Sequence, residues 1–150
     1  MRLALELSEN PVYLATSRKW DEDFEKRVKR HQNERDDRWE NWEEEKEIGK
    51  LDITGRVVVM DCVTLWLSNW FMDLEQDIDA CLQNAKKELT QLFSQEGTII
   101  IISNEIGMGV HAETHMGRKF VELQGWTNQF IAEKADKATF IVSGLPHNLK

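Results

Sequence analysis

Two uninterrupted apolar runs constrain this chain more than any other feature. Val57-Val58-Val59-Met60 closes on Asp61, and Thr98-Ile99-Ile100-Ile101-Ile102 closes on Ser103-Asn104-Glu105. A strand with one wet face alternates apolar and polar residues. A run without alternation, rich in β-branched side chains, suits a parallel strand covered on both faces. Parallel strands need crossover connections, usually helices, and the chain provides them. Leu65 to Phe71 reads as helical, and Ile78, Leu82, Ala85, Leu89 and Leu92 make the apolar stripe of a long amphipathic helix, which Gly97 is expected to end. Residues 116–135 read as another helix, with Phe120, Leu123, Thr127, Phe130 and Ile131 inward. Val12 to Ala15 reads as a short buried strand and Ala138 to Val142 as the last strand. Met1 to Leu7 reads as the last turns of a helix that Ser8-Glu9-Asn10-Pro11 breaks. The expectation is an α/β fold with a parallel sheet and flanking helices.

In such sheets ligands bind beyond the C-terminal ends of the strands. Thr16-Ser17, Asp61, Asn104-Glu105 and Ser143-Gly144 are expected at four such ends. Together they predict a site on one rim.

Composition narrows what that site can serve. The 150 residues suit one domain, 1–150, with a sizeable core. Acidic residues number 27 against 19 basic ones, a net charge of −8, which disfavours general nucleic-acid binding but not one nucleotide in a local pocket. Cys62 and Cys81 both sit in apolar segments, where a buried thiol is the default. No apolar run approaches the roughly 18 residues of a membrane span, and the N-terminus lacks a signal-peptide core. A cytoplasmic, reducing setting is expected.

Several residues could carry chemistry. A carboxylate closing an apolar strand, as Asp61 does, holds Mg²⁺ in phosphoryl-transfer folds; it could equally cap the next helix. Trp20, Phe24, Val28 and His31 are spaced four, four and three apart, one face of a helix. His31 is flanked by Arg27, Arg30 and Arg35, cations that favour a neutral, nucleophilic imidazole and would bind a phosphate chain. The alternative is a partly buried core histidine. The mixed-charge stretch from Asp21 to Glu47 reads mostly as a solvated helix and loop. His111 and His115 are four apart but lack the zincin glutamate and a third ligand. The glycine-rich loop G-x-x-x-x-G-K-[ST] does not occur.

Taken in order, these segments resemble the bifunctional adenosylcobinamide kinase / adenosylcobinamide-phosphate guanylyltransferase family of cobalamin biosynthesis. Val12 to Ser17 is similar to its second strand. Trp20-Asp21 through Arg27, His31 and Arg35 is similar to its guanylylation helix, followed by Trp39 and Glu43. Asp61 to Asn69 is similar to its Walker B segment. Ser103 to Gly109, Asn128-Gln129 and Ser143-Gly144-Leu145-Pro146 complete the pattern.

The resemblance implies a P-loop NTPase (RecA-like) fold. It implies phosphorylation of adenosylcobinamide, then GMP transfer from GTP through a guanylyl-histidine. On it, His31 is the guanylylated residue, and Ser17, Arg18, Lys19, Glu34, Arg35 and Glu43 contact guanine nucleotide. Asp61 serves Mg²⁺, and Glu105 is a further polar site residue. GTP and ATP are the substrates beside the corrinoid, and the assembly is a homo-oligomer, a trimer in the family. The family opens with a strand and a G-G-x-R-S-G-K-S loop, both missing here, so the chain is expected to be incomplete at its N-terminus, with impaired activity. Arg30 stands where some members carry a second histidine, and Trp126 where arginine is more usual. The alternative is a non-catalytic nucleotide-binding or scaffold module that retains the fold.

Overall fold

The structure, a computed structural model, describes residues 1–18 and 36–150. The helix expected over residues 20–35 lies outside them. Four strands form one parallel sheet, built from β1 (Val12–Ala15), β2 (Glu40–Glu43), β3 (Val57–Asp61) and β4 (Thr98–Ile102), in the order β2-β1-β3-β4. The register sets Leu14 beside Met60 and Ala15 beside Asp61, and Asp61 in turn beside Ile102.

Successive side chains of a strand point to opposite faces, and the two faces of this sheet are covered unequally. Val12, Leu14, Val58 and Met60 join the main core. Onto it pack α2 (Val63–Asp73), α3 (Ile78–Phe93) and α4 (His115–Lys134), through Trp66, Leu67, Phe71, Ala85, Leu89, Leu92 and Leu123. The opposite face meets the short α1 (Arg2–Leu7), where Ala4, Trp39 and Val59 are buried and Tyr13, Ile100 and Ile102 partly so. The apolar runs therefore do lie between helices, more heavily on one side.

The helix boundaries follow local chemistry. The Asp77 carboxylate accepts from the Ala80 N–H at 3.0 Å to cap α3, and the Thr114 hydroxyl accepts from the Gly117 N–H at 3.0 Å to cap α4. In α4, Leu123 and Thr127 are buried as expected, and Gln124 beside them is buried too. Contrary to expectation, α3 ends at Phe93, before Gly97. Gly97 instead lets the backbone entering β4 pass the Ile53 carbonyl, with which a Cβ would collide.

Two further expectations are corrected. Residues 139–142 (β5, Thr139–Val142) do not join the parallel sheet; they pair antiparallel with β6 (Leu145–Asn148). Ser143 and Gly144, both at positive φ (52° and 78°), are the two-residue turn between them, not a rim of the parallel sheet. Positive φ at both central positions is what a tight hairpin twist demands. The second correction is β2, which falls in the stretch read as helix and loop. Its Glu40-Asn41-Trp42-Glu43 is an edge strand that buries little. The Trp42 indole donates to Glu40 at 2.7 Å, and Glu40 pairs with Arg56. Outward charge on an edge strand hides its period.

Candidate functional site

The sheet order lines up most of the described candidate residues. Along its C-terminal edge come Glu43 ending β2, Ser17 and Arg18 just past β1, Asp61 ending β3, and Asn104-Glu105 just past β4. Neighbouring strands lie about 4.8 Å apart, so the row spans roughly 15 Å. Ser143-Gly144 is not part of it.

Asp61 sits at the middle of this edge. Its Oδ2 accepts the phenolic O–H of Tyr13 at 2.7 Å. Its carbonyl accepts from the Thr16 N–H at 3.2 Å, and the buried Thr16 hydroxyl donates to the Cys62 carbonyl at 2.9 Å. The end of β1 is thus tied to the turn into α2. Asn69 of α2, fully buried, completes the tie: its amide donates to Thr16 O at 2.8 Å and to Glu45 O at 2.9 Å. Trp66 donates its indole N–H to Lys46 O at 3.0 Å. One helix therefore holds both the β1 end and the loop after β2.

Arg18 is fixed by carboxylates. Its two Nη atoms meet the two oxygens of Asp73 at 2.8 and 2.9 Å, and its Nε donates to Glu45 at 2.8 Å. Lys46 joins Asp73 at 2.7 Å. The hydrogen bond to Asp73, then that to Glu45, raises the Arg18 pKa well above its ordinary range; Arg18, then Lys46, holds the Asp73 carboxyl well below the usual carboxylate range.

Glu43 opens onto a cleft of about 610 Å³ that Glu44, Glu45, Lys46, Glu47 and Trp70 also line. Carboxylates accept hydrogen bonds and the Trp70 ring offers a flat apolar wall, a pairing that suits a base with N–H donors. At the other end of the row, Glu105 Oε2 accepts from the Asn128 amide at 3.1 Å, and Asn104 donates to the Thr64 hydroxyl at 2.9 Å.

For Mg²⁺, the donor chemistry of Asp61 fits. This cation is commonly held by one or two carboxylates, with waters and phosphate oxygens filling the rest. Tyr13 engages one Asp61 oxygen, and Oδ1 has no hydrogen-bond partner among the described residues. No cluster of three or more His, Cys, Asp or Glu able to cage a metal occurs among the described residues, and a Mg²⁺ site of this kind does not need one.

Lys19, His31, Glu34 and Arg35 lie outside the described residues. Cys62 and Cys81 are buried, as expected; burial pushes both thiols up, Cys81 to about 11. Sequence reasoning missed Tyr13, Asn69 and Asp73. Asp73 carries no local signal, since its partner Arg18 is remote in the chain. Asn69, a polar residue between the apolar Trp66-Leu67 and Trp70-Phe71 of its helix, could have been flagged.

Residues 1–149 match the family described as cobinamide kinase / cobinamide phosphate guanyltransferase. Among curated relatives, the bifunctional adenosylcobalamin biosynthesis protein CobP of Pseudomonas aeruginosa is 34% identical over 154 residues, covering 99% of this chain and 87% of the relative. The protein of that description named CobU in Escherichia coli is 28% identical over 158 residues, covering 95% and 87%. CobU of Salmonella typhimurium is 25% identical over 154 residues, covering 93% and 85%. No helix among the described residues is long and apolar enough to cross a membrane.

Proposed function

The chain belongs to the cobinamide kinase / cobinamide phosphate guanyltransferase family of cobalamin biosynthesis, and on that premise we propose that the C-terminal edge of its parallel sheet is where both reactions take place, with the guanylyl group carried on His31. The observation that carries this reading is the row Glu43, Ser17-Arg18, Asp61, Glu105 along one sheet edge. A triphosphate and a large acceptor can lie side by side there.

In the guanylyl transfer, the neutral imidazole of His31 attacks the α-phosphorus of GTP. The N–P bond forms as the bond to the β-phosphate oxygen breaks, and pyrophosphate leaves. The phosphate of adenosylcobinamide phosphate then attacks the same phosphorus and histidine leaves, so that one displacement becomes two easier ones. Ser17, Arg18, Lys19, Glu34, Arg35 and Glu43 hold the guanine nucleotide. Arg27 and Arg35 offset its charge, and Glu34 and Glu43 accept from the guanine edge. For the kinase step, Asp61 would hold Mg²⁺, which would offset the charge on the phosphoryl oxygens. Glu105 belongs to that half of the site. We read the sheet as a RecA-like P-loop NTPase sheet, residues 1–150 as one domain, and the working form as a cytoplasmic homotrimer.

The test uses GTP labelled at the α-phosphate. The chain should acquire label that survives alkali and is lost in mild acid. His31→Ala should abolish it, whereas His111→Ala, His115→Ala and His147→Ala should not. Label retained by a folded His31→Ala protein would overturn the assignment.

A further inference from the structure

The polar residues beyond β4 form a connected network that the reading above leaves unused. Ser103 donates its hydroxyl to Asn128 Oδ1 at 2.6 Å. Gln124, fully buried one helical turn before Asn128, donates to the same Oδ1 at 3.0 Å and to the Ser103 hydroxyl at 2.9 Å. Two donors thus fix the orientation of the Asn128 carboxamide. Its other end, Nδ2, donates to the Asn104 carbonyl at 3.1 Å and to Glu105 Oε2 at 3.1 Å. One amide from α4 holds both the backbone and the carboxylate of the segment that leaves β4. Asn104 reaches across to the Thr64 hydroxyl in the first turn of α2, three residues past Asp61. The network therefore ties Glu105 to the turn that carries the β3 carboxylate.

The division of labour within Asn128 decides what this can mean. The acceptor end, bound by Ser103 and Gln124, and the Nδ2 bond to the Asn104 carbonyl tie α4 to the end of β4. The second Nδ2 bond goes to the exposed Glu105 carboxylate, where a hydrogen bond adds little to stability because water competes for it. It restricts the carboxylate to one direction. It engages Oε2, while Oε1 has no hydrogen-bond partner among the described residues.

We propose that Asn128 is a positioning residue for the kinase step, aiming Glu105 so that its carboxylate takes the proton of the hydroxyl that is phosphorylated. This rests on the placement of the kinase half-site at Asp61 and Glu105. As the hydroxyl oxygen bonds to the γ-phosphorus, its proton passes to Glu105, the bond from that phosphorus to the bridging oxygen breaks, and nucleoside diphosphate leaves. Holding an acceptor within hydrogen-bond reach of the proton is the geometric requirement of such catalysis, and a misplacement near 1 Å costs on the order of 10²-fold.

Asn128→Asp separates the two roles. It keeps an acceptor for Ser103 and Gln124, loses the donor to both the Asn104 carbonyl and Glu105, and sets a like charge against Glu105. In the full chain it should lower kcat for corrinoid phosphorylation by about 10²-fold with KM within twofold. Glu105→Gln should lower kcat at least as far, and adding Asn128→Asp to it should cost little more, because the residues act as a unit. Nuclear magnetic resonance supplies a readout that needs no turnover. The Asn128 side-chain amide signals should shift in Glu105→Ala. Normal kcat in Asn128→Asp beside a slow Glu105→Gln, multiplying losses in the double variant, or unshifted Asn128 signals would overturn the positioning role. Full rates in both Glu105→Gln and Asp61→Asn would instead overturn the placement of the kinase half-site.

Discussion

Arg18 and Asp73 meet as a two-pronged pair, Nη1 to Oδ1 at 2.8 Å and Nη2 to Oδ2 at 2.9 Å, joining the exit of β1 to the last residue of α2. Planar pairing of this kind fixes direction as well as distance. It sets the angle at which the guanidinium faces the sheet edge.

Asp73→Asn should therefore weaken guanine-nucleotide binding, raising the KM for GTP roughly three- to tenfold with a smaller change in turnover. The pH dependence follows from the sign of the shift. The folded Asp73 carboxyl lies below its unfolded value, so its contribution to stability is complete above the unfolded pKa and disappears as pH falls through the folded one. The gap in thermal midpoint between the parent and Asp73→Asn should be constant above about pH 5 and shrink below about pH 4. A gap that widens in acid would contradict the pairing.

Asp61→Asn keeps the size of the side chain and its acceptor for Tyr13 while removing the charge. Corrinoid phosphorylation should fall on the order of 10²-fold at limiting Mg²⁺, with the thermal midpoint little changed. Tyr13→Phe, which removes the 2.7 Å hydrogen bond to Asp61, should fall less. Unchanged turnover in Asp61→Asn would make this carboxylate a structural group.

Two glycines should respond to alanine with opposite signs. Gly97→Ala drives a methyl into the Ile53 carbonyl and should cost about 1–3 kcal/mol in urea unfolding. Gly125 lies inside α4, and beyond its chain neighbours and the helix's own backbone no atom stands within 4 Å of where its Cβ would be. Gly125→Ala should stabilise by roughly 0.5–1 kcal/mol, because alanine loses less backbone entropy in a helix.

The parts of the fold that a short window encodes were legible in the sequence. Val57–Asp61 and Thr98–Ile102 announce themselves by unbroken β-branched runs, and the strand now seen at each has those bounds. The long stripe of α3 is equally plain. The misses are cases where tertiary pairing overrides local pattern. Glu40–Glu43 looks like solvated charge until β1 lies beside it. Thr139–Val142 looks like a core strand, but Ser143-Gly144 folds it back on Leu145–Asn148. At the candidate site, the positions of Asp61 and Glu105 at the ends of β3 and β4 could be foreseen because strand ends are predictable positions. The hydrogen bonds of Asn69, Asp73 and Asn128 join residues remote in the chain, and no local spacing encodes them.

The two interior thiols turn the fold into its own recorder. Cys62 lies at the junction of β3 with α2 and Cys81 in α3, both protonated at neutral pH because burial raises them. Thiolate is the reacting form, so a soluble alkylating reagent meets neither sulfur while the surrounding elements stay closed. Each modification then timestamps one opening, at the floor of the Asp61 rim for Cys62 and at the back of the main core for Cys81, and the ratio of the two rates states whether the C-terminal sheet edge breathes apart from the scaffold or only along with it.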